Sequence, residues 1–208
     1  MERVDLVVPV KRLAAAKTRL RDPAGELTAH TRLALALTLD TVAAARTAHR
    51  VRTVLVVTAD RTVADVLVAS GIWVADDPLV GLNAAYDRGA RLLRERDPRT
   101  AVGALQADLP ALRPAELDAA IAAALATGGR AFTADAEGTG TTFLLAAAGT
   151  ALEPRFGGGS AERHRASGAV PLAGAWPSLR RDVDTPADLA AAVRLGVGAH
   201  TRAALAGV

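Results

Sequence analysis

The chain has 208 residues, half of them hydrophobic but only 3% aromatic, which predicts one domain over residues 1–208 with a core of Ala, Val and Leu. The absence of cysteine excludes disulfides and thiolate metal sites, and the four scattered histidines show no zinc-ligand spacing. A net charge of only +3, from arginines scattered among acidic residues, argues against a nucleic-acid partner. The lack of a long apolar run or a signal segment predicts a cytoplasmic protein without a membrane partner.

The first predicted element is a buried strand in the Val-rich run from residue 4, and Pro9 ends it because proline has no N–H to donate. The loop that follows carries Lys11, Lys17 and Arg19, and it contains both lysines of the chain. A solvated basic surface would explain these residues. Confinement of both lysines to one loop gives similar weight to a phosphate site, since a compact ammonium binds phosphate as a point charge. Both interpretations remain open.

Strands and helices alternate over the first part of the chain, as in an α/β protein with right-handed crossovers and a largely parallel sheet. The elements predicted after the basic loop are a helix over 27–49, a strand over 51–58, a helix over 60–70, a strand over 72–75, a helix over 83–96, a strand over 101–106 and a helix over 114–127. Sheets of this kind bind ligands at the carboxyl ends of their strands, so we expect the functional residues there.

The pattern changes in the last third of the chain. Two strands, over 130–135 and 141–147, flank Glu137–Gly140 and predict a hairpin. A short helix that ends near residue 166 and a strand near Val170 follow. Thr185 as N-cap, with Pro186 after it and Asp188 in the first turn, predicts the start of a helix over 186–195.

Neither the Walker nor the Rossmann glycine motif occurs, so a phosphate site in the first loop would depend on basic side chains. Asp108 follows the fourth predicted strand, where a carboxylate is well placed to hold Mg²⁺ that bridges phosphate oxygens. Near the end of the chain, Asp182 and Asp184 lie on one face of an extended segment. Cap-and-turn chemistry would also explain Asp184, and aspartates are common in strand-to-helix loops.

A glycine-rich segment, Gly157–Ser160, opens a predicted helix. Glycines allow close approach of a ligand to the backbone, and a helix N-terminus attracts anions. The hydroxyl groups of Thr141 and Thr142 could reach the same ligand. The basic residues nearest in sequence support an anion site: Arg155, Arg163 and His164. A flexible turn with Ser160 as the N-cap is the alternative.

Five motifs occur in order along the chain: Pro9–Lys11 with Ala16–Leu20, Gly81–Ala85, Ala107–Pro110, Gly157–Ser160 and Asp182–Pro186. Together they closely resemble the guanylyltransferases that make the precursor of the deazaflavin coenzyme F-420, which are relatives of the molybdenum-cofactor and isoprenoid-pathway nucleotidylyltransferases. The resemblance covers nearly the whole chain. It implies a three-layer α/β fold, like that of nucleotide-diphospho-sugar transferases, with a mixed, mainly parallel central sheet.

The resemblance also implies a reaction, in which GTP and a small phosphorylated three-carbon acid give a guanylylated acid and pyrophosphate with Mg²⁺ as cofactor. The residues that it assigns are Lys11, Lys17 and Arg19 as catalytic charges, Lys11, Lys17 and Asn83 for the nucleotide, Thr142, Gly157 and Ser160 for the phospho-acid, and Asp108 and Asp184 for the metal. Asp182 competes with Asp184 as the second metal ligand.

Phosphoenolpyruvate is the acceptor that we expect, because an Ala/Arg-rich, Lys-poor composition suggests a GC-rich bacterial genome and bacterial members of the resembling family favour this acid. 2-Phospho-L-lactate and 3-phosphoglycerate differ from it by a few atoms and remain alternatives. Two other classes also remain, namely a cytidylyltransferase of the same fold and a non-catalytic nucleotide- or RNA-binding protein. A homodimer and hand-over of the product to the next enzyme of the pathway are compatible with the main interpretation.

Overall fold

The computed structural model describes residues 2–13 and 27–207. Seven strands form one sheet in the order β3-β2-β1-β4-β6-β5-β7. The strands are β1 (Val4–Val10), β2 (Val51–Thr58), β3 (Trp73–Asp76), β4 (Val102–Leu105), β5 (Arg130–Ala134), β6 (Thr141–Ala146) and β7 (Val170–Pro171). β6 runs antiparallel to both of its neighbours, and the other pairs are parallel. The prediction of a mixed, mainly parallel sheet is confirmed.

Helices cover both faces of this sheet. The helices are α1 (Leu27–Thr47), α2 (Arg61–Ala69), α3 (Leu82–Arg96), α4 (Pro114–Leu125), α5 (Ser160–Ala166), α6 (Pro177–Arg180), α7 (Pro186–Leu195) and α8 (Ala199–Ala206). One apolar cluster packs α1, α2, α4 and α6 against one face, and a second packs α3 and α5 against the other. The predicted three-layer α/β architecture is therefore confirmed. No helix within the described ranges is both long enough and apolar enough to cross a membrane.

β1 lies near the middle of the sheet, and all seven of its residues are buried. Alternate side chains of β1 point to opposite faces of the sheet, since Leu6 and Val8 belong to the first cluster and Val7 belongs to the second. α3 packs very closely on this strand, since a Cβ atom at Gly89 would collide with Val7. Small residues at such contacts explain how an aromatic-poor chain fills its core.

Most of the predicted elements are present, including the hairpin of β5 and β6 and the bounds of β2 and α7. Two helices were not predicted from the sequence, α6 and α8. The start of α8 is capped by Asp40 of α1, whose carboxylate accepts hydrogen bonds from the backbone N–H groups of His200 (3.0 Å) and Thr201 (2.8 Å). Because this cap comes from a residue 160 positions away, the local sequence around residue 199 gives little sign of the helix.

Candidate active site

A cavity of about 670 Å³ opens at the carboxyl ends of β1, β4 and β5. Because β6 is antiparallel to β4, its first residues lie at the same edge. The polar and glycine residues on the cavity wall include Lys11, Gln106, Asp108, Asp135, Thr139, Gly140, Thr141, Gly157, Gly158, Gly159, Ser160, Asp182 and Asp184. Four of the segments that the sequence singled out therefore meet at one place.

The basic loop begins on the cavity wall with Lys11, which is exposed directly after β1. Two hydrogen bonds hold this end of the loop. The Thr58 hydroxyl donates to the Val10 carbonyl (2.8 Å), and the backbone N–H of Leu13 donates to the Asp60 carboxylate (2.8 Å). Asp60 is also the N-cap of α2, so it links this loop to a rigid helix end. The sequence marked Asp60 only as a helix start.

Lys17 and Arg19, the other two basic residues that were predicted to be catalytic, lie outside the described residues. Their positions relative to the cavity stay a prediction. Of the three basic residues predicted to be catalytic, Lys11 is the one within the described residues.

The carboxylates of Asp108, Asp182 and Asp184 line the same cavity. The two segments that carry them are direct neighbours, because the backbone N–H of Val183 donates to the Asp108 carbonyl (3.1 Å). On the other side, the buried Thr41 hydroxyl accepts a hydrogen bond from the backbone N–H of Leu109 (2.9 Å). Backbone contacts of this kind fix where the aspartates emerge from the sheet.

The turn that carries Asp184 is held by Asp188. The Asp188 carboxylate accepts hydrogen bonds from the backbone N–H groups of Thr185 (2.9 Å) and Asp184 (3.3 Å), and the Thr185 hydroxyl completes a capping box. Burial would raise the pKa of Asp188, but these hydrogen bonds and the nearby charge of Arg181 outweigh burial and lower it. The capping carboxylate of this helix is therefore Asp188, and Asp184 lies one residue before the cap on the cavity wall.

Asp135 is an acidic cavity residue that the sequence did not single out. Its carboxylate accepts hydrogen bonds from the backbone N–H groups of Thr139 (2.9 Å) and Gly140 (2.7 Å) and so shapes the β5–β6 turn. Carboxylate oxygens of Asp135, Glu137 and Asp182 lie within 4.8 Å of one another, a spacing that suits a cation. This cluster contains Asp182, the competitor for the role of second metal ligand.

The glycine segment is held from both sides. The Asn83 side chain accepts from the backbone N–H of Phe156 (2.8 Å) and donates to its carbonyl (3.2 Å). The Arg163 guanidinium donates to the carbonyls of Arg155 (3.0 Å) and Gly158. Asn83 is not on the cavity wall, so the contact that we observe positions this segment, and a role near the nucleotide stays a prediction.

Two glycines of the segment adopt backbone angles that other residues rarely take, with φ of 120° at Gly157 and 69° at Gly159. The wall at this point is therefore made by backbone and by the Ser160 side chain, which lines the cavity. α5, which begins at Ser160, has only seven residues. The groups that this segment offers to the cavity are therefore hydroxyl and backbone groups and not the end of a long helix.

A β-bulge decides which threonine of β6 faces the cavity. Thr133 pairs with Phe143 and Ala134 pairs with Thr141, so Thr142 is an extra residue without a partner in β5. The bulge interrupts the alternation of faces. Thr141 lines the cavity, whereas Thr142, the residue assigned to the phospho-acid by resemblance, is fully buried and is not part of the wall.

Behind Thr141 lies His164, which is fully buried. Its Nδ1 atom is 2.9 Å from the Thr141 hydroxyl, and its Nε2 atom accepts from the backbone N–H of Arg155 (2.9 Å). The Ser160 hydroxyl is 3.1 Å from that of Thr141. Burial, followed by the positive charges of Arg163, Arg130 and Arg155, lowers the pKa of His164 to about 4, so the ring is neutral at pH 7.

Comparison with known proteins identifies the family of the chain. The family model described as "Guanylyl transferase CofC like" matches residues 4–207. A protein of Geodermatophilus obscurus named phosphoenolpyruvate guanylyltransferase is 56% identical over 207 residues, which cover 97% of this chain and 94% of the relative. A protein of the same name from Streptomyces scabiei is 54% identical, with 97% and 95% of the two chains covered.

Solved structures support the fold. The crystal structure of 4-diphosphocytidyl-2C-methyl-D-erythritol synthase matches with a TM-score of 0.63 at 15% identity, over 94% of this chain and 99% of that one. CMP:2-keto-3-deoxy-manno-octonic acid synthetase, solved with CTP, matches with a TM-score of 0.58 at 14% identity, over 93% and 98%. These likenesses show a shared nucleotidyltransferase architecture. The full-length family match and the identities above 50% show more, namely that this chain belongs to the CofC-like guanylyl transferase family.

Proposed function

We propose that this protein is a guanylyltransferase that transfers GMP from GTP to phosphoenolpyruvate, releasing pyrophosphate, in deazaflavin coenzyme F-420 biosynthesis. The observation that carries the proposal is the composition of one cavity. A lysine-bearing loop, a set of carboxylates and a hydroxyl- and glycine-lined segment meet there. These are the groups needed to hold a triphosphate, a divalent cation and a small anionic acid, and close relatives bear the matching name.

The chemistry requires positioning more than proton transfer. A phosphate oxygen of the acid attacks the α-phosphorus of GTP, the bond from that phosphorus to the bridging oxygen breaks, and pyrophosphate leaves. Because the attacking phosphate is already an anion, no general base is required. His164, which lies behind Thr141, is buried and neutral, which agrees with a reaction that does not use it as a base.

Charge neutralisation falls to the basic loop and to a cation. Lys11, with Lys17 and Arg19 from the same loop, would offset the charge of the triphosphate. Asp108, Asp182 and Asp184 fit Mg²⁺, since they bring carboxylate oxygens, the ligands that this ion prefers, to one wall. We assign Asp108 and Asp184 as its ligands. When bound, Mg²⁺ supplies further neutralisation of the phosphates.

The phospho-acid would bind at the hydroxyl- and glycine-lined segment. We assign Thr142, Gly157 and Ser160 to it and add Thr141, which lies on the cavity wall with Gly157 and Ser160. Asn83 would act by holding Phe156 and thereby the glycine segment. A non-catalytic nucleotide- or RNA-binding protein is a weaker candidate, because it would not require several carboxylates in the same cavity as the lysine loop.

The experiment that tests the proposal is pyrophosphate release from each of the four nucleoside triphosphates, with phosphoenolpyruvate, 2-phospho-L-lactate, 3-phosphoglycerate or no acid, in Mg²⁺. We expect release only with GTP and an acid, fastest with phosphoenolpyruvate, and a product with the mass of enolpyruvyl-diphospho-guanosine. Preference for CTP would identify a cytidylyltransferase. Absence of turnover with tight GTP binding would identify a binding protein.

A further inference from the structure

Both ring nitrogens of the buried His164 have defined partners. Nε2 faces the backbone N–H of Arg155 at 2.9 Å, and Nδ1 faces the Thr141 hydroxyl at 2.9 Å. A backbone N–H can only donate, so Nε2 must be the nitrogen without a proton. The ring is neutral at pH 7, and its one N–H is therefore on Nδ1 and donates to the Thr141 oxygen.

This tautomer has a consequence for the hydroxyl pair of Thr141 and Ser160, which lie 3.1 Å apart. The two hydroxyls have two protons between them, and one is used in the hydrogen bond that joins them. With Nδ1–H already donating to Thr141, neither hydroxyl needs to donate to the ring. One hydroxyl proton is left, and both residues, although almost fully buried, belong to the cavity wall.

The opposite tautomer would give the opposite result. With Nδ1 as an acceptor, Thr141 would donate to His164 and Ser160 would donate to Thr141, so both protons would be used. The cavity would then meet only oxygen lone pairs, which repel an anion. The choice of tautomer thus decides whether this wall offers a hydrogen-bond donor.

We infer that His164 is a positioning residue, which the backbone N–H of Arg155 locks with its proton on Nδ1 so that the Thr141–Ser160 pair presents a donor to an anionic oxygen of the phospho-acid. The inference rests on the proposed function for the identity of the acid. His164 itself is fully buried and is not part of the cavity wall. Either the phosphate or the carboxylate of the acid can supply the anionic oxygen that accepts this hydrogen bond.

The first test needs no substitution. Long-range ¹H–¹⁵N correlation spectra of the wild-type protein at pH 7 distinguish a ring protonated on Nδ1 from one protonated on Nε2, and the His164→Asn variant assigns the resonance. We expect the Nδ1–H tautomer. An Nε2–H tautomer or a charged ring overturns the inference. Since this measurement requires no turnover, its failure is distinguishable from failure of the proposed function.

The second test is a matched pair of variants. In His164→Asn the amide nitrogen can take the place of Nδ1 and still donate to Thr141, whereas in His164→Gln the amide reaches the place of Nε2. We expect His164→Gln to raise the KM for phosphoenolpyruvate by about 10-fold or more, the value of a hydrogen bond to a charged group, and His164→Asn to raise it less than about threefold. The KM for GTP should stay within about twofold in both.

Thr141→Val removes the hydroxyl through which His164 is inferred to act. The double variant Thr141→Val/His164→Gln should therefore have the same KM for phosphoenolpyruvate as Thr141→Val alone. The inference would be overturned if the increases in KM of the two single variants multiplied in the double variant. An unchanged KM in a folded His164→Gln protein would also overturn it. Should His164→Gln fail to fold, the tautomer measurement on the wild-type protein gives the decision.

Discussion

At the amino-terminal edge of the central strands, the buried Asp5 accepts hydrogen bonds from the Arg52 guanidinium (2.6 and 3.0 Å) and the Thr100 hydroxyl (2.9 Å). Arg52 also contacts Asp97 (2.7 Å), a hydrogen bond that lowers the pKa of Asp97. At the carboxyl edge, Asp108, Asp182 and Asp184 line one cavity with Lys11 and the glycine segment. At one edge the charged groups are paired within the fold, and at the other they line an open cavity.

This difference separates a structural cluster from a functional one. Opposite charges within hydrogen-bonding distance lower each other's energy and require nothing further from solvent or ligand. Carboxylates on the wall of an open cavity, next to a lysine, are instead typical of sites that bind cations and phosphates. Substitutions at the two edges should accordingly affect different quantities, activity at the carboxyl edge and stability at the amino-terminal edge.

The largest effect is expected for Asp108→Asn. An amide oxygen is a poorer ligand for Mg²⁺ than a carboxylate, so kcat/KM should fall by roughly 10³-fold or more while the protein stays folded. Pyrophosphate release and thermal unfolding measure the two quantities. Activity within about threefold of the wild type would remove Asp108 from the metal site.

Asp184→Asn and Asp182→Asn test which of these two neighbouring carboxylates binds the metal. We expect Asp184→Asn to lower kcat by about 10²-fold and Asp182→Asn by about 10-fold, with a higher Mg²⁺ requirement in the first variant. Titration of activity with Mg²⁺ makes the comparison. If Asp182 is essential and Asp184 dispensable, the cation belongs instead to the cluster with Asp135 and Glu137.

Asp5→Asn is the matched substitution at the other edge. It replaces a carboxylate that is 3% exposed by an amide that cannot pair with Arg52, and should reduce the free energy of unfolding by about 2 kcal/mol. Urea denaturation measures this loss, and kcat should stay within about twofold of the wild type. A stable Asp5→Asn protein with low activity would contradict the division between the two edges.

The smallest effect concerns pH. The unfolded chain binds a proton on His164 near pH 6.5, whereas the folded protein does so only near pH 4. Between these values the unfolded state holds more protons, so this group makes stability fall as pH decreases from 6.5 to 4. We expect the free energy of unfolding of His164→Asn to change less steeply with pH across this range than that of the wild type. The difference in slope should correspond to at most one bound proton. Parallel slopes in urea unfolding at several pH values would show that His164 is not held neutral.

The sequence predicted the convergence of the site better than its details. Asp108 could be placed at this edge because it follows a strand, as the general rule for α/β sheets requires, whereas Asp184 lies between α6 and α7 and was assigned to the same site by the resemblance. The contact of Asn83 with Phe156, 73 residues away, could not be predicted, because neither residue ends a strand. The burial of Thr142 behind the wall could not be predicted either, because an extra residue in a strand leaves no mark in the periodicity of two adjacent threonines.

The bulge in β6 affects how relatives of this protein can be compared. A deletion of the one extra residue would restore regular pairing and turn a side chain from the cavity into the core, or the reverse. A gap of a single position, which is a minor event in an alignment, thus changes which side chain lies on the cavity wall. Equivalence of residues in this segment has to be established by strand register and not by alignment column.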